Sequence, residues 1–467
     1  MTVQAGPKQI YDVAIIGAGV VGCATARAFA MAGASVVVIE KAPDILSGAS
    51  KANSAILHTG FDAPPSSLEL AMVRAGLEEY LSIRDSLNLP IVETGALVCA
   101  WTEAEAHKLH AIAQQGRDNG VAEIRLLSGQ EARATAPQLS DRLVAAIEVA
   151  GEHVIDPWSA PLAYLQHAVV LGATFLRNAE LLSGAFDDGW ILETTAGTIG
   201  AAAVINAAGL FGDIVGTRLG LGPEFTIKPR KGQFVVLDKA AFKLVPRIIL
   251  PVPGETTKGI VICPTAYGNV LVGPTAEEQD DRVRATVVKE TLESLLDHAA
   301  TLIPALRDMP VTAIYAGLRP ASDRKEYRVF AHAGKRAITL GGIRSTGLSA
   351  ALGLARHAVE LLDADFGKPG DAAAPETDPV PNICDVRERD WQRPNHGEIV
   401  CHCELVTLRE IDATFATPVP PGDFGGLKRR TRAGMGRCQG FHCNARLAEL
   451  TRGRFATPLA IDGKARR

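Results

Sequence analysis

The segment Asp12-Val-Ala-Ile-Ile-Gly17-Ala-Gly19-Val-Val-Gly22, completed by Ser35-Val-Val-Val-Ile-Glu40, sets the architecture of this chain. Residues 12–16 are a short run, apolar after Asp12, that reads as a buried strand ended by Gly17. An Ala-rich helix is expected from about Val20 to Ala32, stopped by Gly33, and 35–40 reads as a second buried strand. Strand, tight turn, helix and strand in this order form a βαβ unit, whose crossover makes the two strands parallel. Gly17, Gly19 and Gly22 have the G-x-G-x-x-G spacing. The first permits the turn, the second lets backbone approach a pyrophosphate, and the third lets helix and strand pack closely. The helix N-terminus then offers N–H groups and a favourable dipole to the phosphates. Glu40, 18 residues after Gly22 at the end of the second strand, suits a ribose hydroxyl. The motif alone does not separate FAD from NAD.

Working outward, Ile205-Asn-Ala-Ala208-Gly209, followed by Asp213, reads as a second glycine turn after a strand. Gly341-Gly342-Ile-Arg344-Ser345-Thr346-Gly347-Leu348-Ser precedes an Ala- and Leu-rich helix, where N–H groups would stabilise negative charge on a reduced flavin. Both favour FAD. Between 90 and 310, runs such as 232–238 and 268–273 suggest an antiparallel sheet inserted between pieces of the nucleotide-binding part, to which 203–209 and 337–342 return. Pro, Asp and Ala crowd residues 368–382, which read as a linker. The fold expected is α/β: a Rossmann-like domain with a parallel sheet (1–80, 150–215 and 310–366), a substrate domain (81–149 and 216–309), a linker (367–395) and a small cysteine-rich helical domain (396–467).

Composition narrows the function classes. A chain of 467 residues is too long for one core. A net charge of −4 gives no pull toward nucleic acid, and no run of 18 apolar residues marks a membrane span. The first residues lack the basic and apolar regions of an export signal. Of eight cysteines, Cys23, Cys99, Cys263 and Cys384 are scattered, while Cys401, Cys403, Cys438 and Cys443 stand together. This distribution points to a reducing, cytoplasmic setting and a metal site rather than a disulfide framework.

Cys401-His-Cys403 and Cys438-Gln-Gly-Phe-His-Cys443 are two close pairs separated by 34 residues. Thiolates are soft ligands, so zinc or an iron–sulfur cluster are the chemical options. The pair spacings, C-x-C and C-x4-C, are less typical of zinc than C-x2-C. Five basic residues (Lys428, Arg429, Arg430, Arg432 and Arg437) precede Cys438 and suit either of two tasks, offsetting thiolate charge or docking an acidic redox partner. A solvated basic loop is the plain alternative.

Several segments carry a resemblance. The glycine motif, Ser47-Gly-Ala-Ser50-Lys-Ala-Asn53-Ser54-Ala-Ile-Leu-His58-Thr-Gly60, then 228–233 (KPRKGQ), 316–320 (AGLRP) and 341–349 resemble the D-amino-acid-oxidase-like superfamily of FAD oxidoreductases, over about residues 10–365. Within it the chain is most similar to anaerobic-type glycerol-3-phosphate dehydrogenases and to L-2-hydroxyglutarate oxidases and dehydrogenases. Thr431-Arg-Ala-Gly-Met-Gly-Arg-Cys438-Gln-Gly resembles the bacterioferritin-associated-ferredoxin-like [2Fe–2S] domain, a module appended to those glycerol-3-phosphate dehydrogenases.

The resemblance implies FAD buried between two domains, contacted by Ser50, Asn53, Ser54, Ala208, Gly209, Gly342, Ser345, Thr346, Gly347 and Leu348, and a substrate oxidised by hydride transfer. It makes His58 the candidate base and Arg319 the candidate holder of an anionic substrate, since a guanidinium fork suits phosphate or carboxylate. Lys231, Arg328 and Arg344 are further candidates for that anion. His107 and His110, in a polar stretch, are expected on a helix surface. At Arg344 the chain departs from the 2-hydroxyglutarate enzymes, where a small or acidic residue is expected. It also lacks the lysine that follows the double glycine in aerobic glycerol-3-phosphate dehydrogenases. The expected function is oxidation of a small anionic alcohol like glycerol 3-phosphate, with electrons leaving through the cluster. An L-2-hydroxy-acid dehydrogenase, an amine or imino-acid dehydrogenase, and an electron-transfer subunit with no substrate are the alternatives. The electron acceptor expected is a protein or a quinone-linked partner subunit, with the chain cytoplasmic or held at the inner face of a membrane by that partner.

Overall fold

The computed structural model describes residues 10–222, 224–254, 259–362 and 378–459. Strand β1 (Ile10–Ile16), helix α1 (Val20–Met31) and strand β2 (Val36–Ile39) form where the apolar runs place them. All four residues of β2 are buried, and so are eleven of the twelve in α1. That is why neither shows a polar face in the sequence. β1 pairs in parallel with β2 on one side and with the strand Gly197–Asn206 on the other. The strand Ala337–Gly341 adds in parallel to Gly197–Asn206, and Thr174–Leu176 adds to β2. The returns expected near 203 and 337 therefore enter the nucleotide-binding sheet. A hairpin, Leu181–Phe186 with Trp190–Thr194, extends it antiparallel.

The second sheet has nine strands. It is antiparallel except where Ile248–Pro251 runs parallel to Ala96–Ala100. The strand Val311–Arg319, placed with the nucleotide-binding part by sequence, is instead hydrogen-bonded along Arg230–Leu237 in this second sheet. Its apolar alternation fits either sheet, and only the pairing settles which.

Helix α2 (Leu68–Ile83) packs on the helix Gly347–Leu361 at a distance only glycine allows. A Cβ at Gly76 would lie 1.9 Å from the Ser349 carbonyl oxygen, and one at Gly353 would lie 2.4 Å from that of Met72. This contact fixes the helix whose N-terminal turn carries the Gly342–Leu348 segment.

Of the expected linker, residues 367–377 lie outside the described residues, as do 1–9 and 460–467. From 378 onward the chain is tucked in rather than spanning solvent. Val380, Ile383 and Cys384 are buried, and Asn88 donates to the Val380 carbonyl at 2.8 Å. Beyond it a small unit of a two-stranded ribbon and three short helices encloses its own core of Val400, Val406, Ile411, Leu427 and Leu447. No helix among the described residues is long and apolar enough to cross a membrane.

Candidate active site and cluster site

A cavity of about 1300 Å³ opens between the two sheets. One end is the glycine turn. Gly17 has φ +105°, a left-handed conformation open to glycine, and a Cβ there would lie 2.8 Å from the Ala207 carbonyl oxygen. Gly22 lies behind the turn, where a Cβ would sit 1.9 Å from the Gly17 carbonyl oxygen. Glu40 accepts from the Ala18 N–H at 2.7 Å and the Ala42 N–H at 2.9 Å. Burial nevertheless pushes its carboxyl above the usual range. Ser50 accepts from the Val20 N–H at 3.1 Å, tying the 47–54 segment to the helix start. The turn is thus shaped for a diphosphate, with a carboxylate at the ribose position, and the residues present fit a dinucleotide.

Gly17, Gly19, Glu40, Ser50, Asn53, Ser54, His58, Ala208, Gly209, Arg319, Gly342, Arg344, Ser345, Gly347 and Leu348 all line this one cavity. Thr346 stands just behind it. Its hydroxyl bonds Tyr327, which does line the cavity, at 2.6 Å and donates to Glu69 at 2.7 Å.

Two residues expected at the anion lie outside the cavity wall. Lys231 is ion-paired with Glu277 at 2.9 Å, on the far face of its strand. Arg328 donates to the Glu224 carbonyl at 2.8 Å and packs beneath Gly342. Strand alternation gives the reason for Lys231. Arg230, Gly232 and Phe234 face the cavity while Lys231 and Gln233 face away, so the residue of this six-residue motif that brings a charge to the cavity is Arg230. His107 and His110 are exposed on the helix Glu103–Asp118, as expected.

Arg230 and Arg319 are direct cross-strand neighbours. Like charges in that register repel each other. Arg230 reaches Glu278 at 3.0 Å, but among the described residues Arg319 has no carboxylate partner and donates only to the Thr275 carbonyl at 3.0 Å. Burial, with Arg230 and Arg344 nearby, holds the Arg319 guanidinium down to about 10. It stays charged at neutral pH, in a place where an anion would relieve it.

His58 follows a short strand, Ile56–Leu57, and its backbone N–H donates to Ser349 Oγ at 2.8 Å. Its Nδ1 lies 2.8 Å from Glu152 Oε2, and Glu152 is fully buried. The other oxygen of Glu152 accepts from the Thr59 N–H at 2.7 Å and the Thr59 hydroxyl at 2.8 Å. With Glu152 as the acceptor of this bond, Nδ1 carries the proton and the lone pair falls on Nε2. Glu152 was missed by sequence reading. Its only local signal is an acid in the turn between two short strands, Ala145–Val149 and His153–Ile155.

The four clustered cysteines meet as two pairs, Cys403 with Cys438 and Cys401 with Cys443. Burial pushes Cys443 up to about 12 and Cys403 upward, whereas N–H groups led by that of His442 hold Cys438 below the usual thiol range. The Gly434 N–H donates to Cys401 Sγ at 3.5 Å. Among the described residues no three His, Cys, Asp or Glu side chains converge closely enough to hold one metal ion. Two thiol pairs with N–H donors around them fit a dinuclear cluster with two thiolates on each iron.

Residues 12–361 match the family model for FAD dependent oxidoreductases. The chain belongs to that family. Residues 399–452 match the BFD-like [2Fe-2S] binding domain, so this flavoenzyme carries FAD and a [2Fe–2S] cluster. Glycerol 3-phosphate dehydrogenase of Caloramator mitchellensis is 32% identical over 450 residues, covering 94% of each chain. Glycerol 3-phosphate oxidase of Mycoplasma pneumoniae is 29% identical over 364 residues, 75% of this chain and 94% of that one. The solved structure of FAD-bound, dithionite-reduced L-alpha-glycerophosphate oxidase from Mycoplasma pneumoniae superposes with a TM-score of 0.74 at 26% identity, covering 80% of this chain and 100% of that one.

Three of the five basic residues before Cys438 pair with carboxylates of this chain. Arg430 makes a two-pronged buried pair with Asp44, at 2.7 and 2.9 Å. Arg437 bonds Asp238 at 2.6 and 2.7 Å, and Arg432 pairs with Glu404 and, at 3.3 Å, with Asp385. Burial holds the Lys428 ammonium below its usual value, against the opposing pull of the nearby Cys443 and Cys401 sulfurs. These arginines seat the cluster domain on the rest of the chain.

Proposed function

We propose that the flavoenzyme oxidises a small anionic secondary alcohol, glycerol 3-phosphate or a close relative, and that its electrons leave one at a time through the cluster. The observation that carries this reading is one cavity holding both a histidine oriented by a buried carboxylate and an arginine without a carboxylate partner beside other cations. Arg319, with Arg344 and Arg230, binds the substrate's anionic end. His58 Nε2 takes the hydroxyl proton, and Glu152 stabilises the resulting imidazolium through Nδ1–H, the logic of a base oriented by a third group. FAD, when bound, accepts the hydride from the alcohol carbon. The 32% identity and near-complete overlap with a glycerol 3-phosphate dehydrogenase support the substrate class.

The test is an anaerobic visible titration of the holoenzyme with glycerol 3-phosphate, L-2-hydroxyglutarate and glycine in separate cuvettes. Bleaching of the flavin band by glycerol 3-phosphate alone is expected. Bleaching by L-2-hydroxyglutarate alone makes the substrate a hydroxy acid, and bleaching by glycine makes it an amine. If none of a broad panel bleaches the band, the chain is an electron-transfer subunit.

A further inference from the structure

A column of rings joins the flavin cavity to the cluster domain. Trp158 donates its indole N–H to the Lys51 carbonyl at 3.2 Å, and Lys51 lines the cavity. The indole stacks on Tyr267, with centroids 5.1 Å apart and planes 15° from parallel. Tyr267 belongs to the turn between the strands Val261–Pro264 and Val270–Gly273, and its hydroxyl donates to Asp156 at 2.6 Å. Asp156 also accepts from the Trp158 N–H at 2.9 Å, so one carboxylate holds both members of the stack. On the outer side the Arg432 guanidinium sits 4.4 Å over the Tyr267 ring. Arg432 is a residue of the cluster domain, ion-paired with Glu404, the residue next to Cys403. A Cβ at Gly436 would lie 2.4 Å from Cys403 Cβ and 2.8 Å from Glu404 Oε1, so this part of the domain is closely packed around the ligand.

Packing alone accounts for a stack, but not for one end lying a hydrogen bond from the wall of one redox site and the other lying under an arginine paired with the neighbour of a ligand of the second. Substrate oxidation uses neither ring. Electrons tunnel more readily through contiguous π systems than through saturated chains of equal length. The other close contacts between the two parts are saturated, among them Arg430 with Asp44, Arg437 with Asp238, and Arg429 donating to the Ile45 carbonyl at 2.9 Å.

We infer that Trp158 and Tyr267 form the bridge over which electrons pass from flavin to cluster. This rests on the reading above that the cluster is the outlet. Each crossing oxidises the flavin by one electron and reduces the cluster by one. The proton that the flavin gives up goes to water in the cavity. The rings carry the electron and end unchanged. A second electron crosses after an outside one-electron acceptor, a redox protein or a quinone, has reoxidised the cluster. The cation fixed over Tyr267 disfavours loss of an electron from that ring, so the ring conducts without being oxidised itself.

The test uses the full-length holoenzyme, with flavin reduced by a light pulse and a photosensitiser rather than by substrate. Cluster reduction is then followed by freeze-quench EPR. Trp158→Leu and Tyr267→Leu are expected to slow it by roughly tenfold or more. Trp158→Phe and Tyr267→Phe, which keep a ring, should retain most of the rate, and Arg429→Ala should leave it unchanged. The EPR signature of the reduced cluster should be the same in all variants, which separates a lost bridge from a disturbed domain. Wild-type rates in both leucine variants overturn the bridge, and so does equal slowing by phenylalanine and leucine. A wild-type cluster that stays oxidised beside photoreduced flavin overturns the outlet reading and the bridge together. A failure confined to the substrate assignment leaves this light-driven measurement untouched.

Discussion

His58 and Arg319 do different work, and single substitutions should separate them. Glu152→Gln keeps the shape but lets the carboxamide present an N–H to Nδ1, which favours the wrong tautomer and removes the charge behind the imidazolium. We expect substrate-driven flavin bleaching in stopped flow to slow by about 10²-fold or more, within the range lost when an orienting or proton-transferring group goes. FAD content should be unchanged, because Glu152 contacts His58 and Thr59 rather than the glycine turn. Arg319→Leu should act on binding instead. Loss of charge-assisted hydrogen bonds worth about 1.5–3 kcal/mol corresponds to a rise of about 10- to 150-fold in the half-saturating substrate concentration. Flavin photoreduction, which needs no substrate, should be as in the wild type.

At the scale of elements, the glycine turn and the α2 contact are constraints of backbone against backbone, which no rotamer change relieves. Gly22→Ala places a methyl 1.9 Å from the Gly17 carbonyl oxygen, so α1 must move off β1 or the turn must open. The cost is at least the about 1–3 kcal/mol of overpacking. The purified variant should show a markedly lower flavin-to-protein absorbance ratio, and a fully loaded one would show that the close approach is not needed. These features were readable because they are local. A turn that only glycine can make, and a period change from strand to helix, lie within about thirty consecutive residues. That Lys231 faces away from the cavity and Arg230 toward it was hidden for a reason at this same scale, since a strand's two faces diverge and the motif was read as a string. Assigning Val311–Arg319 to the nucleotide-binding part failed because pairing partners for a strand are not local at all.

Across the whole molecule, the cluster domain is held by carboxylates of the flavin and substrate parts. Arg430 and Asp44 are nearly inaccessible, so Arg430→Ala leaves a buried, unpaired charge and should destabilise by about 3–5 kcal/mol. Calorimetry should show a lower Tm, with FAD lost more readily, because Asp44 lies in the loop that continues from Glu40 toward the cavity-lining Ser47. The second tie responds to pH. Arg437 holds the Asp238 carboxyl down to about 2, below its unfolded range near 4. A depressed carboxyl contributes stability that is fully present above the unfolded pKa and is lost as pH falls through the folded one. Hydrogen exchange in 399–407 should therefore accelerate between about pH 4 and pH 2, and Asp238→Asn should remove that step. A step of equal size in the variant assigns the acid response to other groups.

What the amino-acid order determined by itself is the chemistry. The dinucleotide turn, the acid that follows it and the two cysteine pairs are short-range patterns, in which spacing along the chain sets spacing in space. Tertiary structure decided the partners. Glu152 lies 94 residues from His58, and Asp44 lies 386 residues from Arg430. Five basic residues within ten positions look like a surface for something outside. Arg430 and Arg432 turn inward because burying a guanidinium requires a carboxylate, and the fold brings carboxylates to them, as it brings Asp238 to the exposed Arg437. The column from Lys51 to Arg432 draws on four distant segments, which only the packed chain brings into line.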